Sequence, residues 1–128
     1  MVQQISEGVS VTVETFYQEA QSNPLRCDYL FAYRITIENL SSFSLQLLSR
    51  HWMILDSSGT LIEVEGEGVV GQQPILEPGA SYQYVSSVNI NSDIGKMSGE
   101  YTMMNLTEEK TFQVIIPEFQ LIVPFKLN

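Results

Sequence analysis

Apolar and polar residues alternate along four segments of this chain. These segments are residues 9–14, 30–39, 60–67 and 81–90. A period of two places successive side chains on opposite faces of a strand, so each segment is predicted to be a half-buried β-strand. Residues 45–56 carry apolar side chains on both faces, which predicts either a central strand covered on both sides or a strand with a bulge.

Turn-forming residues separate the predicted strands. Residues 56–59 (DSSG) predict a hairpin, and residues 77–79 (EPG) predict a tight turn. A second hairpin is predicted over residues 100–116, followed by a closing strand over residues 119–125. Seven or eight short strands without a helix predict an all-β fold, a β-sandwich, with a small closed barrel as the alternative.

The composition agrees with a sheet protein. Val, Ile and Thr together supply 29 residues, whereas Ala supplies three. β-Branched side chains lose rotamer freedom in a helix and pack well on a pleated sheet. The aromatic residues predicted to fill the core are Trp52, Tyr33, Tyr82, Tyr84 and Phe112.

Size and charge narrow the class of protein. The 128 residues are predicted to form one domain, residues 1–128. Six basic and 15 acidic residues give a net charge of −9, which disfavours nucleic acid and anionic membranes but is compatible with cations and basic protein surfaces. The chain shows no secretory signal and no apolar run long enough to span a bilayer, and its single cysteine, Cys27, cannot form an internal disulfide. A soluble, cytoplasmic protein is expected.

The motif VEGEGVVGQQP, residues 64–74, contains Gly66, Gly68 and Gly71 in the order G-x-G-x-x-G. A dinucleotide site requires a helix directly after these glycines, so that free N–H groups face the pyrophosphate. Pro74 and the turn at residues 77–79 exclude such a helix. The motif is therefore predicted to form a bend or bulge, and a weaker alternative is an anion-binding nest with Arg50 or His51 nearby.

Candidate metal ligands and catalytic groups are few. Glu63, Glu65 and Glu67 project from one strand face about 7 Å apart, a spacing too wide for direct chelation. They are weak candidates for a divalent cation, and a solvated face that protects a sheet edge is preferred. His51 is the only histidine and has no nucleophile motif or metal-ligand pattern around it. We predict a non-enzymatic protein without a cofactor.

Several longer stretches resemble the bacterial ApaG family. They are QLLSRHW (46–52), D-x-x-G (56–59), VEGEGVVGQQPILEPG (64–79), Y-x-Y-x-S (82–86), GKMSGEY (95–101) and IPEFQLIVP (116–124). The resemblance implies a fibronectin type III-like or immunoglobulin-like β-sandwich and a cytosolic protein associated with cobalt resistance and magnesium efflux. It also implies a pyrophosphate or nucleotide site at Gly66, Gly68 and Gly71. Similar domains in eukaryotic proteins look like protein-interaction modules.

The preferred functional prediction is a binding module for a protein partner of unknown identity. The partner would be recognised through an edge strand, which offers unpaired backbone groups, or through the loops at one end of the sandwich. The alternative is a small-ligand module that binds pyrophosphate or a nucleotide at the glycine loop.

Overall fold

The computed structural model describes residues 1–124. Within them the chain forms nine β-strands and one 3-10 turn, Pro24–Arg26. The strands are β1 (Val2–Ser6), β2 (Val9–Tyr17), β3 (Tyr29–Asn39), β4 (Leu45–Asp56), β5 (Leu61–Glu67), β6 (Ile75–Leu76), β7 (Ser81–Ile90), β8 (Ile94–Asn105) and β9 (Lys110–Ile122). In this part of the chain no helix has the length and apolar character needed to cross a membrane.

The strands form two antiparallel sheets that pack face to face. One sheet has the order β1-β2-β3-β7, and the other has the order β5-β4-β8-β9, with β6 also paired to β4. The apolar side chains that face inward from both sheets form one buried hydrophobic core. The predicted all-β sandwich is thus confirmed.

Four strands differ from the prediction. β1 and β6 were not expected, since β1 is polar and mostly exposed and β6 has only two residues. β8 begins inside the segment 91–98 that its polar character predicts to be a loop. β9 joins the last two predicted strands into one, because Pro117 lies at a bulge where two residues of β9 oppose one of β8 and no ladder N–H is required. Phe125, at the end of the predicted closing strand, lies outside the described residues.

A bulge at Leu48 explains why β4 is apolar on both faces. The pairing with β8 shifts between Leu47 and Ser49, so one residue of β4 has no partner. Before the bulge the inward positions are odd-numbered, and after it they are even-numbered, beginning with Arg50 and then Trp52. Of the two alternatives for this segment, the bulged strand is the one observed, and it turns Arg50 toward the space between the sheets.

Aromatic side chains fill the centre of the sandwich. The rings of Tyr33, Trp52 and Phe119 lie 5.6–5.9 Å apart with tilted or edge-to-face geometry, which is favourable for the ring quadrupoles. The hydroxyls of Tyr84 and Tyr101 form a buried hydrogen bond of 2.5 Å between the two sheets. Of the five predicted core aromatics, Tyr33, Trp52 and Tyr84 are buried, whereas Tyr82 and Phe112 are half-buried.

Candidate functional site

The glycine motif forms a tight turn between two strands. After β5, the backbone N–H groups of Val69 and Gln72 each donate to the other's carbonyl, at 2.8 and 2.9 Å. The two residues between them, Val70 and Gly71, have φ angles of 47° and 76°. Two successive positive φ angles in a two-residue turn are typical of type I′. The chain then continues to β6, so no helix follows Gly71.

Three backbone N–H groups in and beside this turn are bonded within the protein. The N–H of Gly68 donates to the carbonyl of Leu48 at 2.8 Å, and those of Val69 and Gln72 are paired with each other. An anion nest needs successive N–H groups that converge on an empty space. Because these three N–H groups are bonded inside the protein, they do not converge on a bound pyrophosphate.

The side chain of Arg50 holds the glycine loop in place. Its Nη1 donates to the carbonyl oxygens of Glu67 and Gly68, at 3.1 and 2.9 Å. The guanidinium lies so close to Gly66 that an added Cβ would be 2.8–3.0 Å from its atoms. At Gly68 a Cβ would collide with the carbonyl oxygen of Gln72. Gly68 is therefore required by close packing against the backbone, whereas a side chain at Gly66 would have to displace the guanidinium of Arg50.

A pocket opens where the glycine loop meets the first sheet, and we call it the edge pocket. The side chain of Val69 is fully buried between the sheets. A cavity of about 180 Å³ lies between this residue and the neighbouring strand β7. The residues that line this cavity include Tyr33, Arg50, Trp52, Val70, Tyr84 and Ser86.

The edge pocket combines neutral phenols with one permanent positive charge. Burial raises the pKa of Tyr33, and the Ser86 side chain and the charge of Arg50 only partly oppose this. Burial likewise raises the pKa of Tyr84, so both phenols are neutral at pH 7. Among residues 1–124, no carboxylate lies within ion-pair distance of Arg50. The pocket thus contains a half-buried cation that makes no ion pair with the described residues.

His51 lies on the opposite, outer face of the second sheet, among three glutamates. Its Nε2 is 2.7 Å from Glu63 and 3.5 Å from Glu65, and its Nδ1 is 3.9 Å from Glu100. The hydrogen bond to Glu63 is the main cause of a raised His51 pKa; the charges of the three glutamates add to it and burial opposes it. No sequence motif connects His51 with these glutamates, although the hairpin at 56–59 sets the register that places His51 opposite Glu65.

The same cluster offers ligand atoms of the kind that a divalent metal binds. One atom from each of His51, Glu63 and Glu65 lies within 4.8 Å of the others. Glu67, the third acidic residue of the predicted strand face, is not in this group. A protonated His51 would pair with the same carboxylates in the absence of a metal. Exposed glutamates at a sheet edge also prevent unwanted pairing with another strand.

The strand β7 is an edge strand with few of the usual protective features. It is ten residues long and has no charged residue, proline or glycine. At the corresponding edge of the second sheet, β5 carries Glu63, Glu65 and Glu67. The remaining edges, β1 and β9, lie beside each other and are joined by a hydrogen bond from the Ile115 N–H to Ser6.

The hydrogen-bond pattern shows which groups of β7 face outward. The N–H of Asn39 donates to the carbonyl of Ala80, just before β7 begins. Bonded pairs alternate along an antiparallel ladder, so the even-numbered residues of β7 bond to β3. The N–H and C=O groups of Gln83, Val85 and Ser87 therefore point away from the sheet. The edge pocket lies beside this row, with Val85 and Ser86 in its wall.

Comparison with known proteins identifies the family. The sequence model of the ApaG domain matches residues 19–105. Protein ApaG of Brucella suis is 47% identical over 124 residues, covering 97% of this chain and 95% of that protein. Protein ApaG of Pectobacterium atrosepticum is 45% identical over 116 residues, covering 91% and 92%. The crystal structure of the putative ApaA protein from Bordetella pertussis superposes with a TM-score of 0.87 at 40% identity, covering 91% of this chain and 94% of that one. The chain therefore belongs to the ApaG domain family.

Proposed function

We propose that this ApaG-family chain is a non-enzymatic protein-interaction module, in which an extended segment of a partner protein adds as a further strand to β7. The observation that carries the proposal is the free, uncharged ten-residue edge. Edge strands of this length usually carry charges, prolines or bulges that prevent pairing with another chain. Outward backbone groups supply affinity in strand addition, and neighbouring pockets supply specificity.

The chemistry of the histidine also favours a binding role. His51, the only histidine of the chain, contacts Glu63, Glu65 and Glu100, and none of these residues has a hydroxyl or thiol that the imidazole could deprotonate. General base catalysis requires the base to reach the group whose proton it removes. His51 is instead held on a solvated face, on the side of the second sheet that points away from the edge pocket.

The experiment compares proline substitutions at the two free edges. Val85→Pro removes a backbone N–H that points outward from β7. Leu61→Pro is the matched control: the Asp56 N–H donates to the Thr60 carbonyl, so the backbone N–H of the next residue, Leu61, points outward from β5. Both positions are exposed, at 58% and 62%. Proteins captured from a bacterial lysate by the wild type should be retained by Leu61→Pro and lost with Val85→Pro.

Circular dichroism and thermal unfolding of both variants confirm that each is folded before capture. If Val85→Pro retains the same partners while Leu61→Pro loses them, the binding edge is β5 and the proposal is wrong. Capture of nothing above background by the wild type also contradicts it.

The association with cobalt resistance and magnesium efflux, which the family resemblance implies, is proposed to operate through the bound partner. In a strain that lacks the gene, complementation by the Leu61→Pro variant should restore cobalt tolerance. Complementation by Val85→Pro should not, provided that both variants accumulate to the same level. Equal rescue by the two variants would separate the ion phenotype from the β7 edge.

Direct binding of a divalent cation is a second candidate, favoured only by the proximity of His51, Glu63 and Glu65. A cation that binds the folded state alone raises the melting temperature as its concentration increases. A shift produced by Co²⁺ or Mg²⁺ should be lost in His51→Gln and in Glu65→Gln. Glu67→Gln is the matched control, because Glu67 lies outside the cluster. A shift of equal size in all variants would place the cation elsewhere.

A further inference from the structure

We infer that the strand added to β7 carries an acidic residue whose carboxylate enters the edge pocket and pairs with Arg50. This inference rests on the proposed function, because it specifies the partner chemistry of the same edge. It concerns the space between β7 and the glycine loop and not the backbone N–H groups of that loop.

The position of the pocket fixes which part of an added strand would reach it. Tyr84 and Ser86 are inward-facing residues of β7, and both line the pocket. A strand paired with β7 continues the same sheet, so its inward side chains lie level with those of β7. A partner residue opposite Tyr84 or Ser86 therefore points between the sheets, toward Arg50.

The charge of Arg50 selects the side chain. Its Nη1 already donates to two loop carbonyls, but a carbonyl does not neutralise a guanidinium. No described carboxylate is within ion-pair distance, although the protein has 15 acidic residues. A carboxylate can accept hydrogen bonds from the other guanidinium nitrogens, and charge-assisted bonds of this kind are about twice as strong as neutral ones.

The walls of the pocket fit the rest of an acidic side chain. Trp52 and Val70 provide apolar surface for the methylene groups, and the neutral phenol of Tyr33 provides a hydrogen-bond donor. No other charged residue lines the cavity. Burying a carboxylate here leaves it paired, whereas an ammonium group would face Arg50 across a small space and be repelled.

A second copy of this chain does not meet the same requirement. If β7 paired with β7 of another molecule, the added strand would carry the sequence SYQYVSSVNI, which contains no Asp or Glu. The occupant inferred here is therefore a segment of a different protein.

The test uses four pools of synthetic fluorescent decapeptides. Each pool is randomised among Val, Ile, Thr and Ser, has lysines at both ends for solubility, and has Glu, Gln, Leu or Lys fixed at a central position. Fluorescence anisotropy measures the binding of each pool to the wild-type protein. The Glu pool should bind at least about tenfold more tightly than the Gln pool, the difference expected for a charge-assisted pair, and the Lys pool should bind most weakly.

Variants separate the two proposals. Val85→Pro should abolish the binding of every pool, and Leu61→Pro should leave all affinities unchanged. Arg50→Met should bind the Glu and Gln pools with equal affinity. If this variant does not fold, the wild-type protein is measured at rising salt concentration, where its preference for the Glu pool should be lost. Binding that requires the β7 edge but shows no Glu preference overturns the inference alone. Absence of binding by all pools overturns both, as does a wild-type dimer that Val85→Pro dissociates.

Discussion

The guanidinium of Arg50 lies against the backbone of Gly66, its partner across the β4–β5 ladder. The side chain passes over Gly66 to reach the carbonyls of Glu67 and Gly68. Because Gly66 has no side chain, the side chain of Arg50 can cross β5 at this position. The hydrogen bonds of Arg50 then hold the glycine loop at this end of the sandwich.

Gly66→Ala should destabilise the protein by displacing Arg50. The new Cβ would lie 2.8 Å from Nη1, so the guanidinium must move and its two hydrogen bonds weaken, at a cost of about 1–2 kcal/mol. In an Arg50→Ala background the same substitution should cost about 1 kcal/mol less, because the obstructing group is absent. Urea unfolding of the four proteins measures this coupling, and additive effects would show that the contact contributes nothing.

The second and third glycines of the motif should respond very differently to alanine. Gly68→Ala combines a φ of 64° with a collision against the Gln72 carbonyl, so a loss of about 3 kcal/mol or more is expected. Gly71→Ala has a φ of 76° but open space around it, so about 1 kcal/mol is expected from the backbone conformation alone. Chemical denaturation measures both, and equal losses would contradict the packing argument.

Val70→Asn should stabilise the protein. Val70 is 61% exposed and has a φ of 47°, a conformation that is unfavourable for a β-branched residue. Asn-Gly is a preferred pair for a type I′ turn, so a gain of about 0.5–1 kcal/mol is expected.

The neighbouring Val69→Asn serves as the opposite control for that substitution. Val69 is fully buried, and its replacement places an amide in the core at a loss of about 2 kcal/mol or more. Thermal unfolding that ranks the two variants in the reverse order would contradict the turn geometry.

The titration of His51 should report its contact with Glu63. Because the pKa of His51 in the folded protein is raised above 6.5, protonation of this ring favours folding. The stabilisation is fully present below the unfolded-state pKa near 6.5 and is lost as pH rises through the folded-state value. NMR titration of the ring should give a pKa above 6.5 in the wild type and a lower one in Glu63→Gln.

Glu67→Gln is the control for this titration, because Glu67 makes no ion pair with His51. Its effect on the pKa of His51 should be much smaller than that of Glu63→Gln. An unchanged pKa in Glu63→Gln would show that the 2.7 Å hydrogen bond does not persist in solution.

The fold class, most strands and the bend at the glycine motif could be predicted from local sequence patterns. Alternation of period two is a local property, so the faces of β3 and β7 could be assigned from residues 30–39 and 81–90 alone. Pro74 lies close enough to Gly71 to exclude a helix there by steric effects within a few residues. The strands that escaped prediction, β1 and β6, are held mainly by backbone pairing and carry little hydrophobic pattern.

The directions of the charged side chains and the position of the free edge depend on contacts between distant segments. The alternation of apolar and polar residues does not predict that Arg50 faces inward. Arg50 is turned inward by the bulge at Leu48, and this bulge depends on pairing with β8, about 50 residues away along the chain. His51 meets Glu65 and Glu100 through the registers of two different ladders. β7 is an edge because of the order of strands in its sheet, and strand order is set by packing between distant segments, which no local pattern encodes.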